Sequence, residues 1–260
     1  MTRAELNQLL NAIVDHSILT ATDYLELVPE THRRLAIQTQ PIPYFGNILV
    51  PEVKFFTIGV NPSASEFYNR QWPLGGFTPE ELCGRLLGYF DPQQVPTYHP
   101  WFNGWNTALV PLGIQYGSNL AHLDLSYRAT KSMGALNGPN RVHFEDMVVG
   151  DSQFFFQLLG LLLPQTRGLI MAGTVGRFYM DCFFNRLADA GHAGFHLNYV
   201  RTLDFGPLAR VEFFQLTWGQ WTVPVLFCSS SPSDRRRPEL LRERIVRLAD
   251  EIRQIGFSGQ

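Results

Sequence analysis

The sequence has little excess charge, few cysteines and no long apolar run, and each shortage excludes a class of protein. Lys and Arg number 21 against 23 Asp and Glu, and the net charge of −2 excludes attraction of nucleic acid by the molecule as a whole. Any nucleic-acid site therefore needs a concentrated basic patch. The three cysteines, Cys83, Cys182 and Cys228, are odd in number and far apart, which favours neither a disulfide framework nor a cysteine metal site.

Apolar residues are spread along the chain. No stretch reaches about 18 uninterrupted apolar residues, and the opening MTRAELNQLL is polar where a secretory signal needs an apolar run. We therefore expect a cytoplasmic protein with no membrane partner. With 260 residues, 45% of them hydrophobic, the chain can build a sizeable core. We find no linker that forces a boundary, so we expect a single domain over residues 1–260.

A short apolar segment that ends abruptly in a turn dominates the chain. In KFFTIGVNPS, residues 54–63, four apolar side chains precede Asn-Pro-Ser, as in a buried parallel strand. Gly59 permits a close backbone approach, and Pro62 ends the strand pairing. Asn61, Ser63 and Ser65 then supply polar groups at its carboxyl end, where open α/β sheets bind ligands.

Strands alternate with helices along the rest of the chain, which is typical of a parallel sheet. Thr78-Pro79-Glu80-Glu81 is a capping box with proline at the first helical position. The helices are predicted over residues 4–14, 21–37, 78–90, 101–112, 151–163 and 174–190, and from 238 onward. Further strands are predicted over 114–125, 169–173, 195–200, 210–218 and 223–228, with a long loop over 126–150. We expect a three-layer α/β/α sandwich with a central, mainly parallel four-stranded sheet, N-terminal helices and an extra β-pair.

Two turns of the same kind follow two of the core strands. Asn61-Pro62-Ser63 and Ser231-Pro232-Ser233 lie 170 residues apart, each just beyond the end of a predicted strand. This pairing resembles the uracil-DNA glycosylase superfamily, whose first motif is Gly-x-Asn/Asp-Pro and whose second is His/Asn-Pro-Ser. The resemblance covers about residues 51–245, includes the intervening segments in order, and leaves residues 1–50 as an N-terminal helical extension.

The resemblance implies a monofunctional DNA glycosylase that hydrolyses the N-glycosidic bond of a flipped uracil or other deaminated base. Asn61 would orient the hydrolytic water, and Ser231 stands where the family has the His or Asn that stabilises the departing base. The residues implied in binding the base are Gly59, Val60, Asn119, Trp72 and Phe67. Those implied in holding DNA phosphates are Ser63, Ser65, Ser233, Arg235 and Arg236, followed by Arg237. The resemblance also implies a monomer that needs no metal or organic cofactor.

Other interpretations of the same residues stay open. Asn61 can be a turn residue before Pro62, and Asn119 can be structural. Arg235 to Arg237 can be the solvated start of a helix. Because Ser231 is a weaker donor than His and Leu74 stands near the family's stacking aromatic, a nucleic-acid or nucleotide binding module without catalysis is the main alternative. A hydrolase of a small phosphorylated metabolite is a third.

Overall fold

A computed structural model of the chain describes residues 1–26, 40–63, 77–95, 99–129, 141–172, 195–203, 211–228, 238–254 and 256–257. The chain divides into two compact units. One comprises Met1–Phe45, Gly59–Gly88 and Leu123–Leu161, and the other comprises Gly46–Ile58, Tyr89–His122 and Leu162–Gln260. The prediction of one glycosylase-like domain over the whole chain stays a prediction.

The described part contains six α-helices. They are α1 (Arg3–Leu19), α2 (Ala21–Glu26), α3 (Pro79–Leu87), α4 (Pro100–Leu109), α5 (Arg141–Leu162) and α6 (Pro238–Gln254). Short 3₁₀ turns follow α4 at Val110–Leu112 and α5 at Leu163–Gln165. The predicted capping box opens α3, where the Glu81 N–H donates to Thr78 Oγ1 at 3.3 Å. A second box, which we did not predict, opens α1 at Thr2 and Glu5.

The described strands form one mixed sheet of seven. They are β1 (Tyr44–Phe45), β2 (Phe55–Gly59), β3 (Leu120–Asp124), β4 (Gly168–Ala172), β5 (Phe195–Leu203), β6 (Val211–Trp218) and β7 (Trp221–Cys228). Their order is β1-β3-β2-β4-β7-β6-β5. The α/β class is confirmed, and the four-stranded, mainly parallel sandwich is wrong. The sheet has more strands than predicted because β1 joins it at one edge and the predicted extra β-pair continues it at the other.

The middle of the sheet is parallel. β4 pairs in parallel with β2 and with β7. β3 runs alongside β2, because the Phe55 N–H donates to Asn119 O at the start of both strands and the Leu125 N–H donates to Gly59 O at their ends. The buried run of β2 therefore occupies a central position, as its continuous apolar sequence predicts.

The extra β-pair is an antiparallel continuation of the sheet. β5 pairs with β6, and β6 pairs with β7. Trp218 pairs with Trp221, so only two residues connect β6 and β7. The first of them, Gly219, has a φ of 57°, which favours glycine and suits a tight hairpin turn.

Several predicted boundaries are wrong. The strand expected over 114–125 is limited to β3, because Ile114–Asn119 form a tight turn before it. The loop expected over 126–150 ends at Arg141, where α5 begins ten residues before the predicted helix. Both Gly150 and Asp151 lie inside that helix. The helix predicted over 174–190 and residues 27–37 of the second predicted helix lie outside the described residues.

One stretch of α5 is apolar enough to cross a membrane by length and composition. It covers Asp146–Gln165, with its last three residues in the 3₁₀ turn, and 56% of the stretch is buried within the protein. The core helix of a soluble protein has the same properties.

Gly168 is the tightest packing point among the described glycines. A Cβ at this position would lie 2.6 Å from Phe257 Cε2 and 3.0 Å from Phe55 Cδ1. Both rings are buried and tilted against each other at a centroid separation of 5.5 Å. The first residue of β4 must therefore be small for the C-terminal Phe257 to pack against β2.

We predict that Gly168→Ala lowers the free energy of unfolding by about 1–3 kcal/mol, because the methyl group overpacks this contact. Gly150→Ala is the matched control, since a Cβ there meets nothing within 4 Å and alanine favours the helix. Urea unfolding of both variants measures the difference. Equal stabilities would show that Phe257 can move aside without cost.

Candidate functional site

The candidate site lies where the chain leaves β2. Two hydrogen bonds join this end of β2 to the segment after β3: the Leu125 N–H donates to Gly59 O at 3.0 Å, and the Ser126 N–H donates to Val60 O at 2.8 Å. The chain then turns through Asn61, which is half-buried. β3 lies on one side of β2 and β4 on the other, so the strand order reverses at β2. Ligands of open α/β sheets bind at the carboxyl ends of strands at such a reversal.

The side chain of Asn61 is held by main-chain carbonyls. Its Nδ2 donates to Arg128 O at 2.9 Å and to Pro62 O at 3.2 Å. These bonds assign the amide nitrogen and hold the side chain in one orientation. The geometry suits the orientation of a water, and a neutral amide cannot act as a base.

Arg128, whose carbonyl holds Asn61, is anchored through a buried ion pair. The Arg128 Nε donates to Asp151 Oδ2 at 3.0 Å, and the two side chains are 5% and 1% exposed. Ser126 Oγ donates to the same carboxylate oxygen at 2.6 Å, and the Arg128 N–H donates back to Ser126 Oγ at 3.2 Å. Because arginine does not lose its proton in proteins, a neutral Asp151 would leave a buried cation unpaired. We therefore describe both partners as charged.

His16 of α1 and Thr20, directly after that helix, complete this polar cluster together with Tyr127. Arg128 Nη2 donates to Tyr127 Oη at 2.7 Å and also to Thr20 Oγ1. The Tyr127 hydroxyl lies 2.5 Å from His16 Nδ1, which is itself 3.7 Å from Asp151 Oδ1. We refer to His16, Thr20, Ser126, Tyr127, Arg128 and Asp151 as the Arg128 cluster.

Burial shifts the titration of the Arg128 cluster. It raises the pKa of Asp151 above its ordinary value, and Arg128 and the bond from Ser126 oppose that shift. The pKa of His16 is lowered, chiefly by burial and also by the charge of Arg128, while Asp151 acts in the opposite direction. At neutral pH the cluster therefore favours a neutral imidazole beside the ion pair.

A cavity of about 510 Å³ adjoins the cluster. His16, Thr20, Arg128 and Asp151 line it together with residues of α2 and α5. Three of these are further carboxylates, Asp23, Glu26 and Asp146. The cavity therefore has several acidic side chains besides that of Asp151 in its lining.

Asn119 lies at the other end of β2 from Asn61. It precedes β3, and its main-chain carbonyl accepts from the N–H groups of Lys54 and Phe55 at the start of β2. Its side-chain Nδ2 donates to Gly113 O, and its Oδ1 accepts from the Gln115 N–H, each at 2.9 Å. The amide thus closes the turn before β3, and it would have to leave these bonds to contact a base. We leave Asn119 out of the proposed site.

His122 belongs to the packed core. Its Nδ1 lies 2.8 Å from Thr57 Oγ1, which is 2.5 Å from the Tyr116 hydroxyl, and all three residues are buried. The rings of Trp101 and Phe102 pack edge-on against the imidazole. This arrangement matches a satisfied core histidine.

The structure describes only part of the predicted site. Gly59, Val60, Asn61 and Ser63 lie together at the end of β2, and Asn119 lies apart from them along the strand. The predicted residues that lie outside the described ones are Ser65, Phe67, Trp72, Ser231, Ser233, Arg235 and Arg236. Within the described residues, no group of three or more His, Cys, Asp or Glu could hold a metal ion.

Sequence analysis missed Arg128 and Asp151. One available signal was Asp151 itself, an acidic residue three positions before the apolar run FFFQLLGLLL, which a buried helix tolerates only with a partner. Arg128 gave a weaker signal. It lies four positions after Asp124, which is the last residue of β3. Neither signal identifies the other residue as the partner.

Comparison with known proteins adds no relative. No family model matches the chain, no curated protein is similar to it, and no solved structure matches its fold. The resemblance to uracil-DNA glycosylases therefore depends on the two motifs and on the order of the segments between them.

We predict that Asp151→Asn lowers the free energy of unfolding by about 3 kcal/mol, because it leaves the Arg128 charge buried without a counter-ion. Asp250→Asn is the control: Asp250 pairs with Arg253 at 2.7 Å but is 90% exposed, so its loss should change stability little. Urea unfolding at neutral pH compares the two. An equal, small effect would mean that the buried pair contributes no more than the surface pair.

We also predict that His16 makes the protein less stable in acid. Its folded pKa lies below its unfolded pKa, so its contribution is complete above an unfolded pKa of about 6.5 and is lost as the pH falls through the folded value. The free energy of unfolding should fall more between about pH 8 and about pH 5 in wild type than in His16→Gln. Asn198→Gln, an exposed change on β5 that removes no ionisable group, should keep the wild-type slope. Equal slopes in wild type and His16→Gln would contradict the shift.

Proposed function

We propose that the protein is a DNA glycosylase that hydrolyses the N-glycosidic bond of a flipped uracil or another deaminated base. The observation that carries the proposal is the held amide of Asn61. It occupies the Asn position of Gly59-Val60-Asn61-Pro62 at the carboxyl end of a central parallel strand, with Nδ2 bound to Arg128 O and Pro62 O.

This geometry fits the chemistry of base removal. An extruded nucleotide presents its sugar carbon to water while the bond to the base breaks, and positive charge develops on the sugar. The enzyme must then orient the water and stabilise charge more than it must supply a strong nucleophile. The held side chain of Asn61 is the group that we propose for the first task, the orientation of the water. Ser63, two residues further along the chain, can contribute a hydroxyl to a neighbouring phosphate.

The second motif supplies the other half of the proposed mechanism. By the resemblance, Ser231 would donate a hydrogen bond to the base as it leaves with negative charge. Ser233 and Arg235 to Arg237 would bind the DNA backbone with the concentrated positive charge that the whole molecule lacks. DNA is accordingly the proposed partner. We propose that the protein acts in the cytoplasm as a monomer and without a cofactor.

One observation favours a second candidate, a glycosylase-like protein that binds nucleic acid or a nucleotide without turnover. Ser231 replaces a His or Asn donor, and loss of a preorganised donor typically costs about 10²–10³ in rate. The structural requirements of binding would survive such a loss. Activity separates the two candidates.

The test is single-turnover cleavage of labelled single- and double-stranded oligonucleotides that contain uracil, hypoxanthine, xanthine, or thymine opposite guanine. We predict that wild type leaves alkali-labile abasic sites with at least one of these bases. Asn61→Ala should lower the rate by about 10²-fold or more, because the water loses its orientation. Asn198→Ala, which removes an exposed amide on β5, should keep the wild-type rate.

Wild-type activity that survives Asn61→Ala would exclude the proposed role of that residue. Ser231→His supplies the family's usual donor and distinguishes the remaining outcomes. If wild type is inactive and Ser231→His is active, the binding module is the better description of the natural protein. Inactivity of all the variants on every oligonucleotide would contradict the glycosylase proposal.

A further inference from the structure

We propose that Asp151 is a positioning residue for Asn61, acting through Arg128 and Ser126. The inference builds on the proposed function, because it assigns to α5 the task of fixing the amide that orients the water. Neither Asp151 nor Arg128 belongs to a motif that the sequence analysis identified.

The first connection runs through the Arg128 side chain. Asp151 accepts from Arg128 Nε with both carboxylate oxygens, Oδ2 at 3.0 Å and Oδ1 at 3.2 Å. Tyr127 and Thr20 accept from Nη2 of the same guanidinium. The side chain is thus held at several atoms, and the main-chain carbonyl of the same residue accepts from Asn61 Nδ2 at 2.9 Å. The position of that carbonyl depends on the anchored side chain.

The second connection runs through Ser126. Its Oγ donates to Asp151 Oδ2 at 2.6 Å and accepts from the Arg128 N–H at 3.2 Å. Its own N–H donates to Val60 O, directly before Asn61 in the chain. One carboxylate therefore fixes both sides of Asn61: the residue that precedes it and the carbonyl that binds its amide.

Loss of the Asp151 charge would release the guanidinium. Arg128 and Asp151 both line the cavity of about 510 Å³, and without its counter-ion the guanidinium loses the bonds that fix its position there. Asp23, Glu26 and Asp146 line the same cavity and would attract it. Movement of Arg128 displaces its carbonyl, and the Asn61 amide then loses its orientation.

The experiment measures Asn61 directly. The side-chain amide signals of Asn61 are identified in a ¹H–¹⁵N spectrum by their absence from Asn61→Ala. We expect Asp151→Asn to speed hydrogen exchange of these amide protons by about tenfold, as expected for loss of one hydrogen bond. The control is Asp146→Asn, which removes a carboxylate from the same helix and the same cavity and should leave the exchange rate unchanged.

Single-turnover kinetics adds a second readout that a purely structural role would not move. In Asp151→Asn the rate of base release should fall between about 10- and 10²-fold, while the dissociation constant for DNA stays within about twofold of wild type. Ser126→Ala leaves the ion pair intact and breaks only the second connection, so it keeps the test decisive if Asp151→Asn fails to fold. Like Asp151→Asn, Ser126→Ala should raise the exchange rate of the Asn61 amide protons and lower the rate of base release.

Unchanged exchange of the Asn61 amide in folded Asp151→Asn, or in Ser126→Ala if only that variant folds, would overturn the positioning role. Weaker DNA binding with an unchanged rate of base release would also overturn it. Wild type that cleaves no oligonucleotide would overturn the proposed function instead, and the exchange measurement would still decide whether Asp151 fixes Asn61.

Discussion

The buried ion pair between Arg128 and Asp151 is the interaction on which the candidate site depends. Two opposite charges with exposures of 5% and 1% are stable inside a protein only when geometry and hydrogen bonds offset their lost hydration. Here Ser126, Tyr127 and Thr20 supply those bonds. The need to satisfy both charges fixes the segment after β3 against α5, and with it the carbonyl that holds Asn61.

This constraint links the fold to the proposed chemistry. The sheet places the end of β2 where the strand order reverses, and the end of β3 beside it carries the chain into Arg128. A water-orienting amide needs a fixed direction more than it needs a charge, and two main-chain carbonyls provide that direction. The buried charges act indirectly, because they fix the backbone that presents those carbonyls.

Features governed by neighbouring residues were predictable from the sequence. The box Thr78-Pro79-Glu80-Glu81, the end of a helical segment at Leu112 and the β5–β6 pair depend on local spacing, and the structure confirms all three. Features governed by distant partners were not. Arg128 and Asp151 are 23 residues apart, and β1 is too short, at two residues, to show a strand pattern. The turn that binds the Asn119 amide was not predictable either, because Gly113 and Gln115 close it through bonds that leave no periodic pattern in the sequence.

The central claim is that Asn61 orients a water that releases a base from DNA. Its most direct test is mass spectrometry of the free base released from a mixture of damaged-base oligonucleotides, with abasic sites counted in the same reaction. We expect one free base in an amount equal to the abasic sites, formed by wild type and lost in Asn61→Ala. DNA that is bound but returned intact by the wild-type protein, with no free base at any enzyme concentration, would contradict it.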